Sequence, residues 1–227
     1  MSIMSHPAIK VVLFDVFGTL VDVEGSIVRA LDGKVDDPQM FGKRWIATVQ
    51  GDLASIREGY DRYENFDRIL ERGFRRIIRM YGYMLNDEIV RNCVDMWQLA
   101  DAWLDVINGL RRLRGQFIIA PLSNGNITMM IKLARHNEFT WDAIFGAEIA
   151  KNYKPNNNVY ETTISALNDY NRSEILMVAS HEYDLEAAAN SGLQTAYIRR
   201  SNIDCKDFKP DYIVNSIEEL ADILIKN

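Results

Sequence analysis

Ile9-Lys10-Val11-Val12-Leu13-Phe14-Asp15-Val16-Phe17-Gly18-Thr19 is the stretch on which the fold turns. Five apolar residues, mostly branched, run without alternation from Ile9 to Phe14, broken only by Lys10. A short run of this kind predicts a strand buried on both faces, as in a parallel sheet. It ends on an acid, Asp15, and then on Gly18-Thr19, so the chain leaves the strand into a tight loop.

Working outward, similar runs return only after residue 108. They are Phe117–Leu122, Ala143–Gly146, Ile175–Ala179, Thr195–Ile198 and Tyr212–Val214. Helical patterns stand between them at Ile127–His136, Val159–Leu167, Leu185–Asn190 and Ile217–Ile225. Strand alternating with helix predicts βαβ units with right-handed crossovers. The expected fold class is therefore α/β, a Rossmann-like doubly wound parallel sheet.

Between the first strand and the rest the texture differs. Phe41, Trp45, Val49 and then Phe66, Ile69, Leu70, Phe74, Ile77, Ile78 recur three and four apart, with charges in the gaps. That is a helical period. The reading is a helical insert over residues 24–108 in an α/β domain made of residues 1–23 and 109–227.

Composition excludes several classes. With 26 basic and 32 acidic side chains the chain carries a net charge of −6, which argues against a nucleic-acid surface. Two cysteines, Cys93 and Cys205, cannot form a disulfide framework or, with three histidines, a convincing structural metal site. No apolar stretch is long enough to span a membrane, and the N-terminal residues lack the apolar run of a signal peptide. The expectation is a cytoplasmic protein.

In open α/β sheets, ligands bind beyond the carboxyl ends of the strands. The residues there are Asp15-Val16-Phe17-Gly18-Thr19 after the first strand and Ser123-Asn124-Gly125 after the second. Lys154-Pro155 follows the third, and Ser180-His181-Glu182-Tyr183-Asp184 the fourth. Taken singly, each has a plainer explanation as a turn or cap residue. Together they bring two acids, hydroxyls, an amide and an ammonium to one rim.

These residues resemble the four motifs of the haloacid dehalogenase superfamily. FDVFGTLVD (14–22), FIIAPLSNGN (117–126), KPNNNVY (154–160) and VASHEYDLEAAANSGL (178–193) are similar to the type II (L-)2-haloacid dehalogenases. The resemblance covers nearly the whole chain and implies a helical cap over the core, a homodimer, and hydrolysis of 2-haloalkanoic acids to 2-hydroxy acids. It implies Asp15 as nucleophile, Lys154 pairing with it, and Asp184 holding Lys154 and activating water. Val16, Phe17, Thr19, Ser123, Asn124, Tyr160 and His181 are implied around the substrate.

The superfamily also contains many phosphatases, which carry a second aspartate two residues after the nucleophile. Here that position is Phe17, and Ser180 replaces a further acid. A halide leaves without a proton, so the loss fits carbon–halogen cleavage, with no metal or cofactor expected. The family's cap supplies a halide-binding arginine directly after a tryptophan. Ile46 follows Trp45 here, so Arg44, on the other side, is the candidate. One residue is about 100° of helix, which leaves open a phosphatase or a binding protein that kept the fold.

Overall fold

The computed structural model describes residues 8–200, 205 and 207–226. The N-terminal reading against a signal peptide rests largely on residues 1–7, which lie outside them. Val11–Phe14 forms strand β1, fully buried as its composition requires. It sits inside a six-stranded sheet with β2 (Ile118–Ser123), β3 (Phe145–Gly146), β4 (Ile175–Ala179), β5 (Gln194–Ile198) and β6 (Tyr212–Val214). Their order is β3-β2-β1-β4-β5-β6, and every neighbouring pair is parallel. Phe14 pairs with Pro121 on one side and Val178 on the other. The order reverses between β1 and β4, so the crevice beyond their carboxyl ends is where such sheets bind ligands.

The insert between β1 and the rest is helical. It comprises α1 (Val23–Leu31), α2 (Pro38–Arg57), α3 (Phe66–Met80) and α4 (Asp87–Asp95), then a 3-10 turn at Met96–Gln98. Helix α2 starts where its sequence says it should. Asp37 accepts a hydrogen bond from Met40 N–H at 2.9 Å, and Pro38, which has no N–H to satisfy, takes the first position. Phe41, Trp45, Val49 and Leu53 of α2 face Ile69, Leu70, Phe74 and Ile77 of α3, all buried. Each large side chain so buried stabilises by roughly 1.5–3 kcal/mol. Ile69, Leu70 and Phe74 are thereby consumed by the insert's own core and offer nothing to a second copy of the chain.

Five longer helices and one short one complete the fold: α5 (Val106–Arg114), α6 (Ile127–His136), α7 (Ala147–Ala150), α8 (Asn157–Ala166), α9 (Glu182–Asn190) and α10 (Ile217–Lys226). The strand's alternation sorts them. Val12 and Phe14 face a core shared with α5, α6, α10 and the insert, while Val11 and Leu13 face α8 and α9. Several expected bounds shift by one to three residues, and two of the shifts bear on the site. The strand over Ala143–Gly146 shrinks to Phe145–Gly146, and the helix expected from Leu185 begins at Glu182. Among the described residues no helix is long and apolar enough to cross a membrane.

Candidate active site

Asp15 leaves β1 at the switch point, its N–H held by the Val178 carbonyl of β4 at 2.9 Å. Its carboxylate is only 7% exposed and accepts three hydrogen bonds. Lys154 Nζ donates to Oδ1 at 2.9 Å. Thr19 Oγ1 donates to Oδ2 at 2.6 Å, and His181 Nδ1 lies 3.0 Å from the same oxygen. Gly18 makes this convergence possible. Its φ is +82°, and a Cβ there would stand 3.2 Å from the His181 ring.

Lys154 is 2% exposed and also donates to Asp184 Oδ2. Asp184, 1% exposed, accepts from Tyr160 OH on its other oxygen at 2.5 Å. The early start of α9 turns Asp184 into the first helical turn and aims it inward, while His181 takes the N-cap position. Burial pushes the Asp15 carboxyl up, but Lys154, His181 and Thr19 outweigh it and hold it well below the usual carboxylate range. For Lys154, burial works against the charge, yet the two carboxylates win and raise it. His181 behaves alike: burial lowers it, the Asp15 partner raises it, and the net direction is up. Burial pushes Asp184 up, with Lys154 pulling down and Asp15 adding to the rise; the net direction is up.

A cavity of about 470 Å³ opens onto Asp15 between the sheet rim and the insert. That is within the range of small-molecule sites. Phe17, Asn124, Ser180 and His181 line it from the core, and Ile46, Gln50, Leu53, Phe66 and Trp97 from the insert. Asn124 uses Oδ1 to accept from Lys154 N–H at 2.8 Å, which leaves its NH2 group for the cavity. The backbone N–H groups of Phe17 and Asn124 have no acceptor among the described residues. Unpaired amides in loops lining a cavity are donors for an anion.

The predicted site residues divide. Asp15, Phe17, Asn124 and His181 line the cavity, and Thr19 and Lys154 hold Asp15 from below. Ser123 is buried and its Oγ accepts from Gly125 N–H at 3.1 Å, so it shapes the loop. Val16 is buried in the core, its carbonyl accepting from Leu20 and Val21. Tyr160 does not line the cavity; it braces Asp184.

Arg44 is the clear correction. Trp45 is fully buried, its Nε1 donating to the Leu70 carbonyl at 2.9 Å. The helix then turns Ile46 into the cavity and Arg44 out to solvent. The cap guanidinium that reaches the core at this end is Arg57, whose Nη1 donates to the Lys154 carbonyl at 3.3 Å. Glu182 turns away from the site and accepts from the Asp207 and Phe208 N–H groups. Gln50 and Leu53 escaped the sequence reading, although they follow Ile46 at helical spacing.

Residues 9–192 match the family described as haloacid dehalogenase-like hydrolase. The (S)-2-haloacid dehalogenase of Pseudomonas putida is 26% identical over 224 residues, 96% of this chain and 98% of its own. A solved L-2-haloacid dehalogenase superposes with a TM-score of 0.89 at 27% identity, over 97% of this chain and 100% of its own. A defluorinating L-2-haloacid dehalogenase does so with a TM-score of 0.89 at 28% identity, over 96% and 95%.

Proposed function

The chain belongs to the haloacid dehalogenase-like hydrolases, and on that footing we propose that it hydrolyses short 2-haloalkanoic acids to 2-hydroxy acids through an ester on Asp15. The observation that carries this reading is Asp15 itself: a carboxylate held ionised at the cavity edge, with Phe17 where a proton-donating acid would stand.

A carboxylate offers about four lone-pair sites. Thr19 and His181 take the two on Oδ2, and Lys154 takes one on Oδ1. The remaining Oδ1 lone pair is the nucleophile. It attacks C2 in line with the carbon–halogen bond, and halide leaves with the bonding pair. The substrate carboxylate is held by the Asn124 NH2 group and the free Phe17 and Asn124 amides. These donors offset its repulsion from Asp15, roughly 4 kcal/mol for unit charges ~4 Å apart at an effective dielectric of ~20.

In the ester, Oδ2 becomes the carbonyl oxygen. Thr19 and His181 already point their donors at it, which is where charge develops when water attacks Cγ. Esterification also removes the charge that raises His181. The imidazole then drops toward its ordinary range, and its Nε2, unpartnered among the described residues, takes the proton from water. Asp184 lies beneath Lys154 and away from the cavity, so its part is to keep that ammonium charged and in place. The adduct then breaks at the Cγ–Oδ1 bond, the second proton of the attacking water passes to Oδ1, and Oδ1 leaves as the hydroxyl of the 2-hydroxy acid while Asp15 returns as a carboxylate beside the protonated His181.

Halide release from L-2-chloropropionate in EDTA, with one turnover in heavy-oxygen water, tests this. The label is expected in the Asp15 peptide, and Asp15→Asn is expected to release no halide. Halide release without label in that peptide, or none above the Asp15→Asn background, refutes the reading.

A further inference from the structure

One of the tryptophans that line the cavity has a buried indole hydrogen with no acceptor among the described residues. Trp97 is 5% exposed and lines the cavity, and its Nε1 is buried without an acceptor among the described residues. Trp45, its neighbour at 5.8 Å, shows the usual state of affairs, donating to a carbonyl. Buried indole N–H groups normally find a partner, and an orphan at a site calls for an explanation in ligand terms.

The surroundings narrow the ligand. Trp97 stands edge-on to Phe17 (5.3 Å, 78°) and to Phe66 (5.5 Å, 80°), and Ile46 and Leu53 line the same cavity. A bridging water needs two to four polar partners; the rings packed on Trp97 supply none, and Gln50 is the one polar side chain that α2 contributes to the cavity. A polarisable monatomic anion needs less: one strong N–H and the positive edges of aromatic rings. Phe17 lies two residues from the nucleophile, so this apolar chamber adjoins the reacting carbon. Trp103 Nε1 is also without an acceptor among the described residues, but that indole lies under the Arg200 guanidinium at 5.6 Å. Asp105 already neutralises Arg200, and Asp22 and Glu24 line the cavity too. An anion has less reason to settle there.

We propose that Trp97 Nε1–H receives the departing halide, in place of the guanidinium absent at Ile46. The assignment rests on the dehalogenase reading. As the Oδ1–C2 bond forms, the carbon–halogen bond breaks heterolytically and the electron pair goes to the halide. The halide accepts the indole hydrogen bond, and no proton is transferred. A neutral donor among apolar walls compensates dehydration poorly, so large, weakly hydrated bromide is favoured over chloride, and chloride over fluoride.

Bromide titration at constant ionic strength, followed on the indole N–H signals of the four tryptophans, tests the assignment without turnover. One signal is expected to move saturably and to be missing in Trp97→Phe, which keeps a ring and removes the donor. Calorimetry is expected to show bromide binding about ten- to a hundredfold weaker in that variant, the range for one hydrogen bond to a charged group. Bromide inhibition of the reaction should weaken by the same factor. An unmoved set of indole signals, or unchanged bromide affinity in Trp97→Phe, overturns the assignment. If the variant does not fold, the unmodified protein decides through the contact of the shifting signal with the Phe17 ring. Label on Asp15 with unmoved indoles overturns the halide assignment alone. A shifted Trp97 signal without label overturns the reaction and leaves the anion site standing.

Discussion

His181 does two jobs with one ring. While Asp15 is a free carboxylate, Nδ1 holds Oδ2 and the pair keeps the imidazole charged longer than usual. Once Asp15 is esterified that support is gone, and the same ring becomes a base. His181→Gln keeps a donor near Oδ2 but cannot take a proton. It is therefore expected to form the ester and hydrolyse it about 10²–10⁴-fold more slowly. Intact-protein mass spectrometry after mixing with substrate should show the adduct accumulating in the variant; a variant that is slow without an adduct removes His181 from the second step. The ion pair also writes itself into stability. His181 is raised, so its contribution is whole below about pH 6.5, its ordinary value, and is lost as pH rises through the folded one. Asp15 is lowered, so its contribution is whole above about pH 4 and is lost as pH falls through the folded value. The gap in Tm between the unmodified protein and His181→Gln is expected to be widest between about pH 4 and 6.5. Parallel thermal curves across pH 4–9 would show that the pair contributes nothing.

Helix α2 shows how a rotation of one residue decides which chemistry is present. Packing of Trp45 against Trp97 and Phe74, and its bond to Leu70, fix the helix about its own axis. Arg44→Ala is accordingly expected to change kcat/KM less than twofold and stability by no more than about 0.5 kcal/mol. Ile46→Arg places a guanidinium in the cavity and is expected to tighten bromide binding at least tenfold, read by calorimetry. An effect of Arg44→Ala as large as that of a lining residue would mean the helix sits differently. The same elements show what a sequence can disclose. β4, β6 and α6 are legible to the residue, because unbroken apolar runs and a clean helical period leave no other arrangement, whereas β1 begins two residues inside its apolar run, at Val11. Asp15, Lys154 and His181 are legible because strand ends converge on one rim. Trp97 and Gln50 are not, since an aromatic in a 3-10 turn and an amide on a helix look like ordinary packing and ordinary surface until the insert is folded over the sheet. Tyr160 and Ser123 sit in the right motifs, yet their side chains serve neighbours. Motif spacing places a residue near a site without saying which way it points.

The molecule as a whole is held shut by a seam of bonds between the insert and the loops that carry Lys154. Tyr153 OH donates to the Glu64 carbonyl at 2.6 Å, and its ring stacks on Tyr63 at 5.4 Å. Arg57 and Asn156 exchange bonds with each other's stretch of backbone. The most telling contact is Asn126. It occupies the N-cap position of α6 yet does not cap it; Glu148 accepts from Ile127 N–H instead, at 2.7 Å. The freed Asn126 Oδ1 accepts from Phe66 N–H at 2.8 Å, so a core residue caps the start of α3, where Asn65 makes no capping bond of its own. Phe66 then stacks on Phe17 at 5.7 Å and forms one wall of the cavity. Losing a side-chain cap costs about 1 kcal/mol, and in a protein of this size that is roughly 2–4 °C in Tm. Asn126→Ala is expected to show that loss and, because Phe66 is no longer pinned over the site, to raise KM severalfold more than it lowers kcat. Asn126→Asp keeps the acceptor and is expected to restore both, whereas a role confined to α6 would leave KM untouched in either variant. Differential scanning calorimetry and steady-state halide release, run on the same preparations, separate the two outcomes.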